Sequence, residues 1–202
     1  MRPHQVDNGT GSTITGSITI TSSPNQPGVS VSVNFTGFPD EPTYGPFVYH
    51  IHALPVPANG NCSATLGHLD PTDRGEYYPC NLAAPATCQV GDLAGKHGNI
   101  TASSFLAQYV DPFLSTDPVS PAFFGDKSVV VHTANTTRIT CANFKLMGSA
   151  SGSGNGTASS NASSVVVSPT PTQTIVPYTG AAGKVSGFGT VGLIGVGFAW
   201  FL

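Results

Sequence analysis

Charge is what this chain of 202 residues has least of. Asp, Glu, Lys and Arg make up 8% of it, where soluble domains carry about a quarter. The few charges nearly balance, 7 Lys and Arg against 10 Asp and Glu for a net −3. That excludes both a polybasic nucleic-acid surface and an acidic solvating tail. Long apolar runs are scarce too. The longest, residues 191–202, is shorter than the about 20 residues of a membrane helix, rich in glycine and without basic flanks. No amphipathic window of helical length stands out, and 24 Gly with 17 Pro favour turns and strands. No apolar stretch follows residues 1–4, so a signal peptide is not visible, and a processed or truncated start is expected.

What is present points outside the cell. Asn-X-Ser/Thr triplets begin at Asn8, Asn34, Asn61, Asn99, Asn135, Asn155 and Asn161, and sugars there would replace the missing charge as the solubilising layer. Of these, Asn34, Asn61, Asn99 and Asn135 fall in the folded part. Beyond Met147 the one charged residue is Lys184. Residues 148–183 are Gly, Ser, Thr, Asn, Ala and Pro without periodicity and read as a disordered stalk. A small triplet from Gly180, a spacer and the apolar end of 184–202 match a lipid-anchor (GPI) signal with Gly180 as attachment site. An oxidising compartment would pair the four cysteines as two disulfides. The expected organisation is an irregular or truncated segment 1–11, a folded domain 12–147, the stalk and the anchor signal.

The folded part reads as all-β. Residues 12–22 and 29–36 alternate β-branched or apolar with polar side chains, and 47–52, 128–132 and 138–146 give further strands. Residues 100–102 and 105–109 are weaker candidates. Several short strands with Gly/Pro/Asn turns make a β-sandwich or barrel. About forty residues between His52 and Asp92 lack strand pattern, and so long a loop is usually functional.

Histidine carries the chemistry. His50 and His52 are one residue apart in a strand, so both imidazoles share a face. His68 sits on the long loop and His132 ends the strand Ser-Val-Val-Val-His. Four imidazoles without a thiolate suit copper, zinc or nickel, and a flattened set favours copper.

His50-Ile51-His52, Cys62, Gly67-His68, Val90-Gly91-Asp92-Leu93, Val129-Val130-Val131-His132 and Arg138-Ile139-Thr140-Cys141 occur in an order that resembles the copper–zinc superoxide dismutases, over about residues 16–146. The resemblance implies a Greek-key β-sandwich, with His50, His52, His68 and His132 as copper ligands and a Cys62–Cys141 disulfide. It also implies superoxide as substrate and Arg138 as the guide for that anion. Zinc-binding members carry two further histidines where this chain has Glu76 and Gln89, and the charged guiding loop after His132 is absent. With the additional Cys80 and Cys88, expected to pair within the loop, and the segment Gly91–Gly98, the chain resembles the fungal copper-only members. Those are extracellular and often lipid-anchored, and membrane contact is expected through such an anchor alone. A monomer is expected.

By the same resemblance His68 carries a proton between copper and substrate. Something must orient its second ring nitrogen in place of zinc, and Asp92, acting directly or through another group, is the first candidate, Glu76 the second. His97, on a loop and without an evident partner, is read as a surface or structural residue rather than a ligand, and His4 as disordered. A copper reservoir of the same fold without turnover is the alternative function. A metal-free adhesion module would leave the four histidines as coincidence. The family usually begins one strand earlier than residues 17–21, and residues 1–12 offer no equivalent.

Overall fold

The computed structural model describes residues 4–5, 10–147 and 196–201, arranged as two antiparallel sheets. The strands are β1 (His4–Gln5), β2 (Thr15–Ser22), β3 (Val29–Thr36), β4 (Val48–His52), β5 (Ser104–Asp111), β6 (Ser128–His132), β7 (Arg138–Asn143), β8 (Lys145–Leu146) and β9 (Val196–Phe201). Two short helices, α1 (Glu41–Tyr44) and α2 (Leu93–His97), join them. One sheet runs β1-β7-β6-β4 and the other β5-β3-β2-β9-β8. The chain changes sheet after β1, β3, β4, β5 and β7, which makes a Greek-key β-sandwich.

Period-two alternation sets the interior. In β3 Val29, Val31, Val33 and Phe35 are buried and the residues between them are not, and all eight residues pair with β2. Their inward faces meet Tyr49, Ile51, Val129, Val131 and Ile139 of the opposite sheet in one core. β6 is buried at all five positions. Val129 and Val131 face that core, while Val130 lies on the other face with Val56, Cys62 and Cys141. The long loop therefore folds over the outer face of the sheet that carries the histidines. The Cys62–Cys141 disulfide fastens it there across 79 residues, a closure that stabilises by on the order of 4 kcal/mol in the chain-entropy account. Cys80 and Cys88 pair within the loop.

The two ends of the loop are knitted to the middle of β4. Ile51 N–H donates to Gly91, Gly91 N–H to Leu69, and Leu69 N–H back to Ile51, at 2.9, 2.7 and 2.8 Å. Three backbones meet at Gly91, where a Cβ would lie 2.2 Å from the Ile51 carbonyl oxygen. Glycine is required here by close approach.

Several sequence expectations need correction. Residues 100–102 form no strand; Ile100 makes a lone bridge to Phe47 while β5 starts at Ser104. The strand expected over 138–146 breaks at Phe144, whose N–H turns to the Lys127 carbonyl. His4, expected to be disordered, lies in β1 with its Cα opposite Cys141, so the segment 1–11 is not irregular throughout. β9 comes from the expected anchor tail. It pairs with β2 from Gly16↔Phe201 to Thr21↔Val196, satisfying a row of β2 backbone groups that would otherwise form a bare edge. The stalk and residues 184–195, with Gly180, lie outside the described residues.

Candidate metal centre

His50 and His52 come from β4, His132 from the end of β6, where it stands opposite Val48, and His68 from the loop, bridged to His52. Ring centroids lie 4.0 Å apart for His50–His68, 5.0 Å for His50–His132, and 5.2 Å for both His52–His68 and His52–His132. Ligand atoms of His50, His52 and His68 fall within 4.8 Å of one another. His52 Nε2 and His132 Nε2 are 3.1 Å apart. The structure brings all four histidines together.

Each ring has one nitrogen held from outside the cluster. His52 Nδ1 is 2.8 Å from the Leu66 carbonyl, His132 Nδ1 3.1 Å from that of Thr136, and His68 Nδ1 2.5 Å from Gln89 Oε1. Carbonyl oxygens only accept, so each Nδ1 carries the proton and each Nε2 keeps its lone pair. His50 is reversed. Its Nε2 lies 3.4 Å from the Asp92 carboxylate, while its Nδ1 is buried without a hydrogen-bond partner. A buried orphan nitrogen is costly unless a cation takes its lone pair. The residues therefore fit a single metal ion: four imidazoles brought together, each with one nitrogen that nothing outside the cluster holds.

His50, His52 and His132 are kept neutral by their surroundings. Burial pushes His52 down to about 3 and His132 down to about 4, and the charges of neighbouring histidines and Arg138 act in the same sense. His50 lies well below the ordinary histidine value, first through burial and then through the other three rings. Neutral imidazole is the form that binds metal.

Two of the holding carbonyls belong to strained residues. Leu66 has φ 61 and Thr136 φ 68, left-handed positions that cost a non-glycine residue about 1–3 kcal/mol. Arg138 clamps the first of them. Its guanidinium donates to the carbonyls of Cys62 and Leu66 at 2.5 and 2.6 Å and to Thr65 Oγ1 at 3.0 Å. The arginine thus braces the turn that orients His52, in addition to placing a fixed charge beside the cluster.

Asp92 makes no direct contact with His68. It caps α2, accepting from Gly95 N–H at 2.8 Å, and faces His50. Gln89, at the position of a lost zinc ligand, takes the place on His68. Its Nε2 in turn donates to Asp70 Oδ2 at 3.1 Å, and that carboxylate also accepts from Gly75 N–H. The signal was available in its position three residues before Asp92, where a histidine would face the same ring. Glu76 makes no hydrogen bond to His68; it is exposed and sits near Gly67. His97 is not on a loop but ends α2, and it has a partner, Asp111 at 2.9 Å, which gives it a structural role.

No family model matches the chain. It is 43% identical over 141 residues to the cell surface Cu-only superoxide dismutase 5 of Candida albicans, covering 70% of this chain and 59% of that protein. It is 48% identical over 103 residues to the cell surface Cu-only superoxide dismutase of Arthroderma benhamiae, covering 49% and 28%. The chain therefore spans less than two thirds of the length of these curated relatives. The solved copper(II) form of Candida albicans superoxide dismutase 5 superposes with a TM-score of 0.65 at 41% identity, over 77% of this chain and 95% of that one.

Proposed function

The chain belongs to the fungal Cu-only superoxide dismutases of the copper–zinc superoxide dismutase superfamily, and on that footing we propose that it dismutes superoxide at a single copper held by His50, His52, His68 and His132. The observation that carries the reading is the orientation of the four rings, each with one nitrogen fixed from outside and the other free toward a common centre. Copper in that place would supply one-electron chemistry, oxidising one superoxide to dioxygen and reducing a second, with two protons, to hydrogen peroxide.

The chain's own residues do the rest. Arg138 offers a fixed positive charge to an incoming anion on a domain of net negative charge. Gln89 keeps the proton of His68 on Nδ1, so Nε2 is the atom of that ring at which a proton can be taken up and released. The groups near a lost zinc site are committed elsewhere: Gln89 to His68 and Asp70, and Asp92 to the start of α2 and His50. The test is metal content after reconstitution with copper and zinc together, followed by superoxide decay. One copper, no zinc and fast decay are expected. A copper-loaded protein without turnover would be the reservoir instead, and uptake of zinc beside copper would refute the single-metal assignment.

The same reading places the protein at the cell surface, as a monomer. Asn34, Asn61, Asn99 and Asn135 are all exposed and open to N-glycosylation. Attachment of a lipid anchor at Gly180, near the end of the stalk, would remove residues 181–202 and with them β9, leaving the β2 edge to another strand.

Gln89 gives a second prediction. Gln89→Leu keeps the volume but leaves His68 Nδ1 without an acceptor, and turnover of the copper-loaded protein is expected to fall by about 10–100-fold, as for other partners of metal-binding histidines. Gln89→Glu would set a second carboxylate against Asp70, and like charges so close hold a proton between them. Its activity is expected to approach the unaltered level only toward acid pH, measured as a pH–rate profile.

A further inference from the structure

The turn that presents Gln89 and Asp92 is held from behind by a buried charge. Lys96 on α2 is 4% exposed. Its ammonium donates to the Val90 carbonyl at 2.7 Å and pairs with Asp111 Oδ2 at 2.5 Å, with both side chains wholly out of solvent. Asp111 is itself fully engaged, Oδ2 by His97 Nε2 and Oδ1 by the N–H groups of Phe113 and Leu114. Aliphatic side chains of similar volume often replace a buried ion pair without loss of stability, so stability alone does not account for a lysine here. What the lysine adds is a directed donor, and the carbonyl it grips lies between the two residues that touch the metal cluster.

We propose that Lys96 is a positioning residue for the metal centre: through the Val90 carbonyl it fixes the 89–92 turn so that Gln89 Oε1 meets His68 Nδ1 and Asp92 faces His50. This rests on the reading of the four histidines as a copper site. The Gly91 backbone bonds fix the turn to β4 and Leu69 on one side, and Lys96 fixes it on the other. Rotation of the 90–91 peptide is thereby blocked. Without the ammonium the carbonyl of buried Val90 must find another donor, and the turn is free to tilt.

The test compares Lys96→Met with the double variant Lys96→Met/Asp111→Asn, which removes both charges and keeps the oxygen that Phe113 and Leu114 need. One readout is proton exchange of His68 Nδ1–H in the metal-free protein, assigned by its loss in Gln89→Leu. The other is the hyperfine splitting of copper(II) in the loaded protein. Both variants are expected to exchange that proton at least about tenfold faster and to shift the splitting, and the double variant regains the melting temperature without regaining either. Unaltered exchange and splitting in either variant, or their recovery together with stability in the double, would overturn the proposal. In the unaltered protein a slowly exchanging Lys96 ammonium at pH 7 is also required, and its absence overturns the proposal even if neither variant folds. The metal-free measurement separates the two readings: faster exchange in a protein that takes up no copper would uphold the positioning role and reject the copper site.

Discussion

Alanine at His50 is expected to lower copper(II) affinity and superoxide turnover by more than about a hundredfold, beyond the usual cost of losing an outer partner of a metal ligand. His50 is central to the cluster, with centroids 4.0 Å from His68 and 5.0 Å from His132. It alone offers Nδ1, and that atom has no other partner. Its removal also leaves the Asp92 carboxylate without the imidazole it faces. The fold should survive, because Tyr49 and Ile51 on either side keep the core contacts of β4. The same titrations have a pH signature in the unaltered protein. Burial holds His52 at about 3 and His132 at about 4 in the folded chain. Depressed values mean that protons leave these rings at lower pH than from free histidine, about 6.5. Copper uptake, measured against a competing chelator, is therefore expected to weaken steeply as pH approaches 4, where these two rings take up protons.

How much of this centre the sequence announces depends on the distance over which each choice is made. That His50 and His52 share a face follows from strand geometry. Which ring nitrogen each turns inward does not, since Asp92 decides it for His50 and Leu66 for His52. Cysteine pairing was legible because four thiols in an oxidising setting have few options and the ordered motifs implied one pair. Sequence alone points to a carboxylate, Asp92 or Glu76, as the partner of His68. The fold supplies an amide whose two ends accept from His68 and donate to Asp70, a relay between positions 68, 89 and 70 that exists only once the loop is closed. Left-handed backbone at Leu66 and Thr136 was equally invisible, because neither residue type advertises it. Strand positions in β2, β3 and β6 were clear from alternation or β-branched runs. β9 was not, since residues 191–202 carry the composition of an anchor signal and pair with β2 only in three dimensions.

Arg138→Ala is expected to slow turnover by on the order of tenfold or more and to flatten its dependence on ionic strength. Two roles meet in that side chain, and they are separable. As a charge it attracts a small anion, an effect screened over a Debye length of about 8 Å at physiological salt. As a fork it satisfies Cys62, Thr65 and Leu66 at once, bracing the strained carbonyl that keeps the proton of His52 on Nδ1. Lysine keeps the charge but not the planar fork. Arg138→Lys should therefore retain the salt dependence while Leu66 loosens, so copper(II) affinity falls although steering remains. Alanine should lose both. Stopped-flow decay of superoxide at several ionic strengths, set beside copper affinity for each variant, resolves the two. Equal salt slopes in the unaltered and alanine proteins would remove steering from Arg138, and unchanged copper affinity in the lysine variant would remove the brace. The geometry argues for both roles, because a guanidinium tied to three acceptors cannot swing away from the centre it serves.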